Sequence, residues 1–530
     1  MPKFARVSVV LSILVATALP SAAQEFRPAS VTLQEGTFAG RTFGYRVMVP
    51  DDLREDEKLP VVLFLHGAGE RGDDNEAQLR HFPDRMVRPE YRERFRSIVV
   101  APQCANGSMW IPVRWDQDRT EPAELDSPWL DVALAALRKT LSEVSHDPDR
   151  IYLTGLSMGG FGSWHLSSRE PKLFAAAAPI CGGGYPATAV SLGALPILAV
   201  HGGADRVVPP SRSREMIVAA RRAGTSAHYV ELPGVGHDSW NQAYALEGAV
   251  LDWLFEQRRG RPYLGHVMGC NQAIPAIELR DVRSAALSWS WDGEGLSDDQ
   301  RAWFDHPTDV RPVDLGTAAL VVASGGGLFR VRLVDRKVEF AAHVGGNPHA
   351  VAALHDGTAL VASSQGNALT RWSLEDPTAQ LQSIELRDAH GVVQDAESRL
   401  IWALGGDELI TLVLGEEGLE VRDRYPLPAT GDREPAGGHD LVFDRTTGLL
   451  FLSDVERLWT FDRTERAFSP FAPLPRVKDV KSITRLGARG PLLLVQATES
   501  WWSDRGRFVG AGDVEFRIDG ARFYKLRTWP

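Results

Sequence analysis

The chain has 530 residues, more than one ordinary hydrophobic core organises, so two domains are expected. Its formal net charge of −11, with no basic cluster, argues against nucleic acid as a partner. Three cysteines, Cys104, Cys181 and Cys270, make an odd set without metal-ligand spacing, and no metal or organic cofactor is expected.

In chain order, the first segment is a leader. Lys3 and Arg6 precede an apolar run over residues 7–19 (VSVVLSILVATAL), and Ser21-Ala22-Ala23 supplies small residues at the cleavage-determining positions. The pattern predicts a signal peptide over residues 1–23, cut after Ala23, and a secreted or periplasmic mature protein. The run is shorter than the roughly 20 residues that cross a bilayer, and no other segment reads as a membrane span.

From residue 24 to 260, strand-like and helix-like runs alternate, which predicts a mostly parallel, doubly wound sheet covered on both faces. The strands are FGYRVMVP, PVVLFLHG, SIVVAPQC, RIYLTGLS, FAAAAPICG, PILAVHGG and HYVELPG. Helices are expected at 129–144, 160–168, 211–224 and 242–258. In the first of these, Leu130, Val132, Leu134, Leu137, Leu141 and Val144 recur near helical spacing, so it packs on the sheet and carries no chemistry. Cys104 and Cys181 end strands expected not to be neighbours, which predicts free, mostly buried thiols, with a disulfide between them in an oxidising compartment as the alternative. The loops 69–84 and 105–128 are long and polar, follow strands, and are expected to form a substrate cleft.

Within this half, Gly155-Leu156-Ser157-Met158-Gly159 joins a strand to a helix. A serine on so sharp a turn needs neighbours two positions away that nearly vanish, which Gly155 and Gly159 are. The turn leaves the Met158 amide at a helix N-terminus, where an oxyanion can be held. Two further strand ends carry Asp205 and His237, giving the chain order Ser157, Asp205, His237. A neutral serine is a weak nucleophile; His237 takes its proton, and Asp205 fixes the imidazole tautomer. Upstream, His66-Gly67-Ala68-Gly69 ends an apolar strand and offers the Ala68 N–H as a second oxyanion donor. Trp110 and Trp240 are candidates to stack on an aryl or sugar-bearing ester, or else to pack their loops. Glu70, with Arg71, either binds substrate or braces its loop.

These segments, LHGAGERGDDN, VVAPQC, RIYLTGLSMGGFGSW, PICGGG, HGGADRVVP and GVGHDSW, resemble the α/β-hydrolase superfamily. More narrowly they resemble a bacterial group of predicted peptidases and carboxylesterases near feruloyl esterases and polyhydroxybutyrate depolymerases. The resemblance implies a secreted serine esterase working through an acyl-enzyme.

After EQRRGRPY helical periodicity stops, and a repeat of about forty residues starts near 309, 348, 389, 438 and 478. Each unit reads as short strands between Gly, Asp and Ser turns, which predicts an all-β propeller over residues 264–530 with about six blades. Residues 266–281 and 514–526 are expected to combine into the blade that closes the ring. AALSWSWD, HPTDV, GGNPHA and ESWWSDRGRF resemble a bacterial propeller family without assigned function. His349, His390 and His439 precede the first strands of three repeats and line the channel, either as a metal or anion site or as turn packing.

The chain therefore reads as a multidomain protein, an α/β hydrolase followed by a β-propeller. Its expected function is hydrolysis of a carboxylic ester, aryl or carbohydrate-linked, with the propeller binding a glycan, polymer or protein. Two alternatives stay open: a serine peptidase with propeller-gated access, similar to prolyl oligopeptidases although the propeller here follows the core, and a propeller binding protein with a vestigial hydrolase.

Overall fold

The computed structural model describes residues 25–115, 127–260, 265–395, 398–429, 437–444, 447–474, 477–486, 490–498, 500–509 and 515–529. The expected signal peptide lies outside them, as do residues 116–126 of the second cleft loop.

The first half is built on one sheet of eight strands. β1 (Arg27–Thr32), β2 (Thr42–Met48), β3 (Leu59–Leu65), β4 (Ile98–Pro102), β5 (His146–Leu156), β6 (Ala176–Ile180), β7 (Ile197–Gly202) and β8 (Ala227–Leu232) pair in the order β1-β2-β4-β3-β5-β6-β7-β8. From β4 to β8 all neighbours are parallel, whereas β1–β2 and β2–β4 are antiparallel, so the sheet is mixed. The central strands are buried on both faces. Along β3, Val61, Leu63 and Leu65 enter one core while Val62 and Phe64 enter the other, as the two-residue period of a strand requires. β1 was not anticipated: RPASVT is polar and mostly exposed, as an edge strand can be, and lacks the apolar run that marks the interior strands.

Helices cover both faces. They are α1 (Phe82–Met86), α2 (Pro89–Arg94), α3 (Pro128–Glu143), α4 (Met158–Arg169), α5 (Ser211–Arg222), α6 (Trp240–Ala243) and α7 (Ala249–Glu256). α3, α4 and α5 bury Leu130, Leu137, Phe161, Trp164, Met216 and Ile217 in one core, and α1, α2 and α7 bury Phe82, Met86, Tyr91, Leu251 and Leu254 in the other. The single helix expected over 242–258 is two. Gly248 is extended between them, and a Cβ there would approach Gln242 O at 2.6 Å, so the turn that separates the two helices requires a glycine. All three cysteines are free and buried.

The second half is a ring of six four-stranded antiparallel blades. Blade I joins His266–Asn271, Ala276–Asp281 and Leu287–Trp291 to the last strand, Phe523–Trp529. The inner strands of blades II to VI are Pro307–Val313, Pro348–Ala353, Gly391–Gln394, Gly438–Asp444 and Val480–Arg485. The ring is closed by strands from both ends of the domain, with one correction to the expected pairing. Glu515–Arg517 completes blade VI, and AALSWSWD gives blade I its outer strand. The two halves touch where Arg221 Nη2 of α5 donates to Leu315 O at 3.1 Å.

Candidate active site

β5 runs into Ser157, and α4 begins at the next residue. Ser157 has φ 53° and ψ −118°, a conformation that costs energy for any residue with a side chain. The turn holds because its flanks are bare: a Cβ on Gly159 would lie 1.9 Å from Leu65 O, and one on Gly155 2.5 Å from Gly159 O. The Ser157 N–H donates to Ile180 O at 2.9 Å and ties the elbow to the end of β6.

Loops after β7 and β8 bring Asp205 and His237 to this serine. His237 Nδ1 lies 2.7 Å from Asp205 Oδ2, and its Nε2 lies 2.9 Å from Ser157 Oγ. Facing a carboxylate, Nδ1 carries the hydrogen, so Nε2 presents a lone pair and the serine hydroxyl donates to it. Asp205 Oδ1 accepts from the Val207 and Val208 amides at 2.8 and 3.0 Å. Burial raises the Asp205 carboxyl, but hydrogen bonds from His201, His237 and these amides outweigh it and hold the group well below the usual carboxylate range. His201, at the end of β7, is the part that sequence reasoning missed. It is fully buried, its Nε2 lies 3.3 Å from Asp205 Oδ2, and its Nδ1 lies 2.7 Å from Ser213 Oγ. The signal was present in His201-Gly-Gly-Ala-Asp205, which places both residues at one strand end.

The two expected oxyanion donors occupy equivalent positions. Met158 is the first residue of α4, and Ala68 is the first of a short 3-10 turn, Ala68–Glu70, entered through an extended Gly67. N–H groups in a first turn have no acceptor within the helix, which leaves them for an anion. Behind Ala68, His66 Nδ1 donates to Gly67 O at 2.7 Å, and its Nε2 accepts from the Cys104 amide at 2.9 Å. Burial pushes the His66 imidazole down to about 4, so it serves as a neutral strut.

Trp110 was expected as a candidate cleft residue and is corrected to a packing role. It is fully buried against Gly162, with its Nε1 donating to His66 O at 2.9 Å, so its indole carries the oxyanion loop from beneath. Glu70 is likewise buried and braces its loop, 3.3 Å from His81 Nε2 and not paired with Arg71. Arg71 instead donates to Ala68 O and Ser108 O, joining the two cleft loops. Trp240 is half-buried beside the triad, its ring 5.3 Å from His237 and 5.2 Å from His81.

Comparison with known proteins divides the chain in two. Residues 262–529, more than half of the chain, match the model of a family described as of unknown function, DUF6528. The chain belongs to that family. Ahead of the DUF6528 propeller, residues 42–245 match the dienelactone hydrolase family, so the first half is an α/β-hydrolase domain of the esterase-related kind. A bifunctional acetylxylan esterase/xylanase of Neocallimastix patriciarum is 29% identical over 262 residues, 48% of this chain and 34% of that protein. A protein of Oryza sativa subsp. japonica named as a probable carboxylesterase is 29% identical over 210 residues, 36% of this chain and 77% of its own length. The chain thus spans about a third of the first relative and three quarters of the second. Among solved structures, a thermostable esterase is 37% identical over 44% of this chain and 63% of its own, with a TM-score of 0.40.

Proposed function

We propose that the protein is an exported serine carboxylic ester hydrolase that works through an acyl-enzyme on Ser157. The observation that carries this reading is the unbroken chain of hydrogen bonds from Ser157 Oγ through His237 to Asp205, with 2.9 and 2.7 Å separations, beside two first-turn amides. Ser157 Oγ attacks the ester carbonyl carbon while its proton passes to His237 Nε2. The carbonyl oxygen becomes an oxyanion facing the Met158 and Ala68 N–H groups. Collapse breaks the bond to the leaving oxygen, which takes the proton from His237, and an alcohol departs. Water then gives a proton to His237 and attacks the acyl carbon; return of that proton to Ser157 Oγ releases the acid. The Asp205 carboxylate, kept ionised by its four donors, stabilises the imidazolium formed at each step. The relatives named as esterases and the dienelactone hydrolase match support an ester as substrate, and the leader at residues 1–23 supports export.

The test is covalent. A fluorophosphonate should add once per chain, at Ser157, and Ser157→Ala should lose both the adduct and hydrolysis of an aryl ester. Hydrolysis that survives Ser157→Ala would overturn the reading. Feruloylated and acetylated sugars assayed with the same preparation then rank the acyl groups, and a peptide amide cleaved faster than any ester would make it a peptidase.

A further inference from the structure

The propeller axis holds a second polar centre. At its heart Arg527, on the closing strand, is fully buried: Nε donates to Asp309 at 2.7 Å, and Nη1 and Nη2 donate to Asp440 at 2.7 and 2.6 Å. The same aspartates accept from the following blade, Asp309 from the Val351 amide and Asp440 from the Ile483 amide. Blades II and V are thus tied to each other through Arg527 and to their neighbours through the backbone.

One residue before each of these aspartates, the inner strand departs from regular pairing. In blades II, III, V and VI the register skips Thr308, His349, His439 and Lys481, and in the closing strand it skips Tyr524 and Lys525. A bulge frees its residue from the ladder and re-aims the side chain, and bulges gather where a protein places functional groups. Here the irregularity recurs at one level of the ring, and His390 stands immediately before the inner strand of blade IV. The side chains meet. The His349 and His390 rings stack at 4.4 Å, His390 lies 5.4 Å from His439, and Lys481 Nζ lies 3.0 Å from His439 Nε2.

This cluster is rich in donors and poor in acceptors. A lysine ammonium only donates, so His439 Nε2 accepts and Nδ1 carries the hydrogen; that N–H is buried without a partner, and so is His349 Nδ1. Lys481 is 7% exposed, and among the described residues no carboxylate lies within ion-pair distance of it. Lys525 is already committed to Asp440 and His390 O, both at 3.2 Å, and Asp388 at the rim is paired with His390. Asp479 draws on Lys481 only from farther away. Burying an ammonium whose one acceptor is a neutral imidazole, together with the His439 N–H and the unpartnered His349 Nδ1, is costly unless something supplies the missing partners. A cation is not that partner, since Lys481 repels it and no three His, Cys, Asp or Glu side chains among the described residues gather to hold a metal.

We propose that the mouth of the propeller channel, where His349, His390, His439 and Lys481 converge, binds the carboxylate or phosphate group of a small molecule. Burial holds the His439 imidazole down to about 3, so at neutral pH it offers its Nδ1 N–H as a donor while Lys481 supplies the charge. The site is independent of the triad and stands or falls separately from ester hydrolysis.

Calorimetric titration of the full chain with inorganic phosphate and with glucuronate, at constant ionic strength in chloride, tests this. Saturable binding of at least one is expected, phosphate alone marking a phosphoryl ligand and glucuronate alone an acidic sugar. Lys481→Met should weaken binding at least tenfold, and His439→Gln should also weaken it. Because Lys481→Met removes a buried cation that has no carboxylate within ion-pair distance among the described residues, its unfolding temperature should equal or exceed that of the parent, so lost binding cannot be put down to misfolding. In NMR spectra the imidazole signals of His349, His390 and His439 should move during titration while that of His237 stays. No saturable binding of either anion, or binding unchanged in both variants, would overturn the proposal.

Discussion

Trp240 stands edge-on to His237, with ring centroids 5.3 Å apart and planes at 88°, and the same indole meets His81 at 5.2 Å. His81 in turn reaches Glu70 Oε1 at 3.3 Å, and Glu70 begins its bracing role two residues beyond Ala68. One indole therefore couples the loop that carries the proposed base to the loop that carries a proposed oxyanion donor. Misplacement of a reacting group by about 1 Å can cost 100-fold in rate. Trp240→Ala is accordingly expected to lower kcat on an aryl ester roughly 10- to 100-fold with a smaller change in KM, and to slow fluorophosphonate labelling in step. Trp240→Phe should recover most of the loss. A rise in KM at unchanged kcat would instead make the indole a substrate surface.

His66 links pH to stability. Burial lowers its folded value to about 4, against an ordinary value of 6.5. Between those values the unfolded chain binds a proton that the folded chain refuses, so stability falls as pH drops through this window and levels off below about 4. At about 1.4 kcal/mol per unit, the loss approaches roughly 3 kcal/mol. His66→Gln keeps a donor for Gly67 O and an acceptor for the Cys104 amide without titrating. Its unfolding free energy, measured between pH 7 and pH 4, should decline less steeply than the parent's by about that amount. Parallel curves would show that His66 is not the linked group.

Arg527 bridges two buried carboxylates, Asp309 and Asp440, each of which has one further cationic partner, Arg311 and Lys525 respectively. Removing one partner of a buried ion pair typically costs about 3–5 kcal/mol because the other charge is left unpaired. Because Arg311 and Lys525 remain beside the two aspartates, Arg527→Met is expected to lose up to about that much from the unfolding of the propeller. Arg527→Lys should fail to rescue it, since one ammonium cannot reproduce a fork that donates from three nitrogens to two aspartates. Adding Asp440→Asn to Arg527→Met should restore part of the loss in thermal unfolding.

The readable parts of this molecule were those that local chemistry dictates. The glycines around Ser157, the apolar strands ending at Asp205 and His237, and the forty-residue rhythm of the propeller each follow from constraints within a few residues. What stayed hidden depends on contacts far apart in sequence. Trp110 looked like a loop aromatic because nothing local shows that Gly162 opens a slot for its ring. His201 read only as the end of the strand PILAVHGG because its ties to Asp205 and Ser213 exist only once β7 and α5 have packed. The three channel histidines were visible as a repeat, but their convergence with Lys481 depends on bulges, which leave no mark in a hydrophobic pattern.

The backbone around Ala68 permits an unusually direct test of the oxyanion assignment. An amide cannot be removed by an ordinary side-chain change, but proline lacks the N–H and is tolerated at the first position of a helical turn, which Ala68 occupies. Proline also restricts the preceding residue to extended conformations; Gly67 already has φ −80° and ψ 178°, so Ala68→Pro should fit with little strain. Loss of one oxyanion donor costs about 100- to 1000-fold in kcat elsewhere, and that range is expected here. KM should change little, because the bond strengthens as charge develops in the transition state, and the unfolding temperature should stay within a few degrees of the parent's. Hydrolysis at the parental rate in a folded Ala68→Pro protein would show that the second donor lies elsewhere, leaving the Met158 amide as the one assigned contact to the oxyanion.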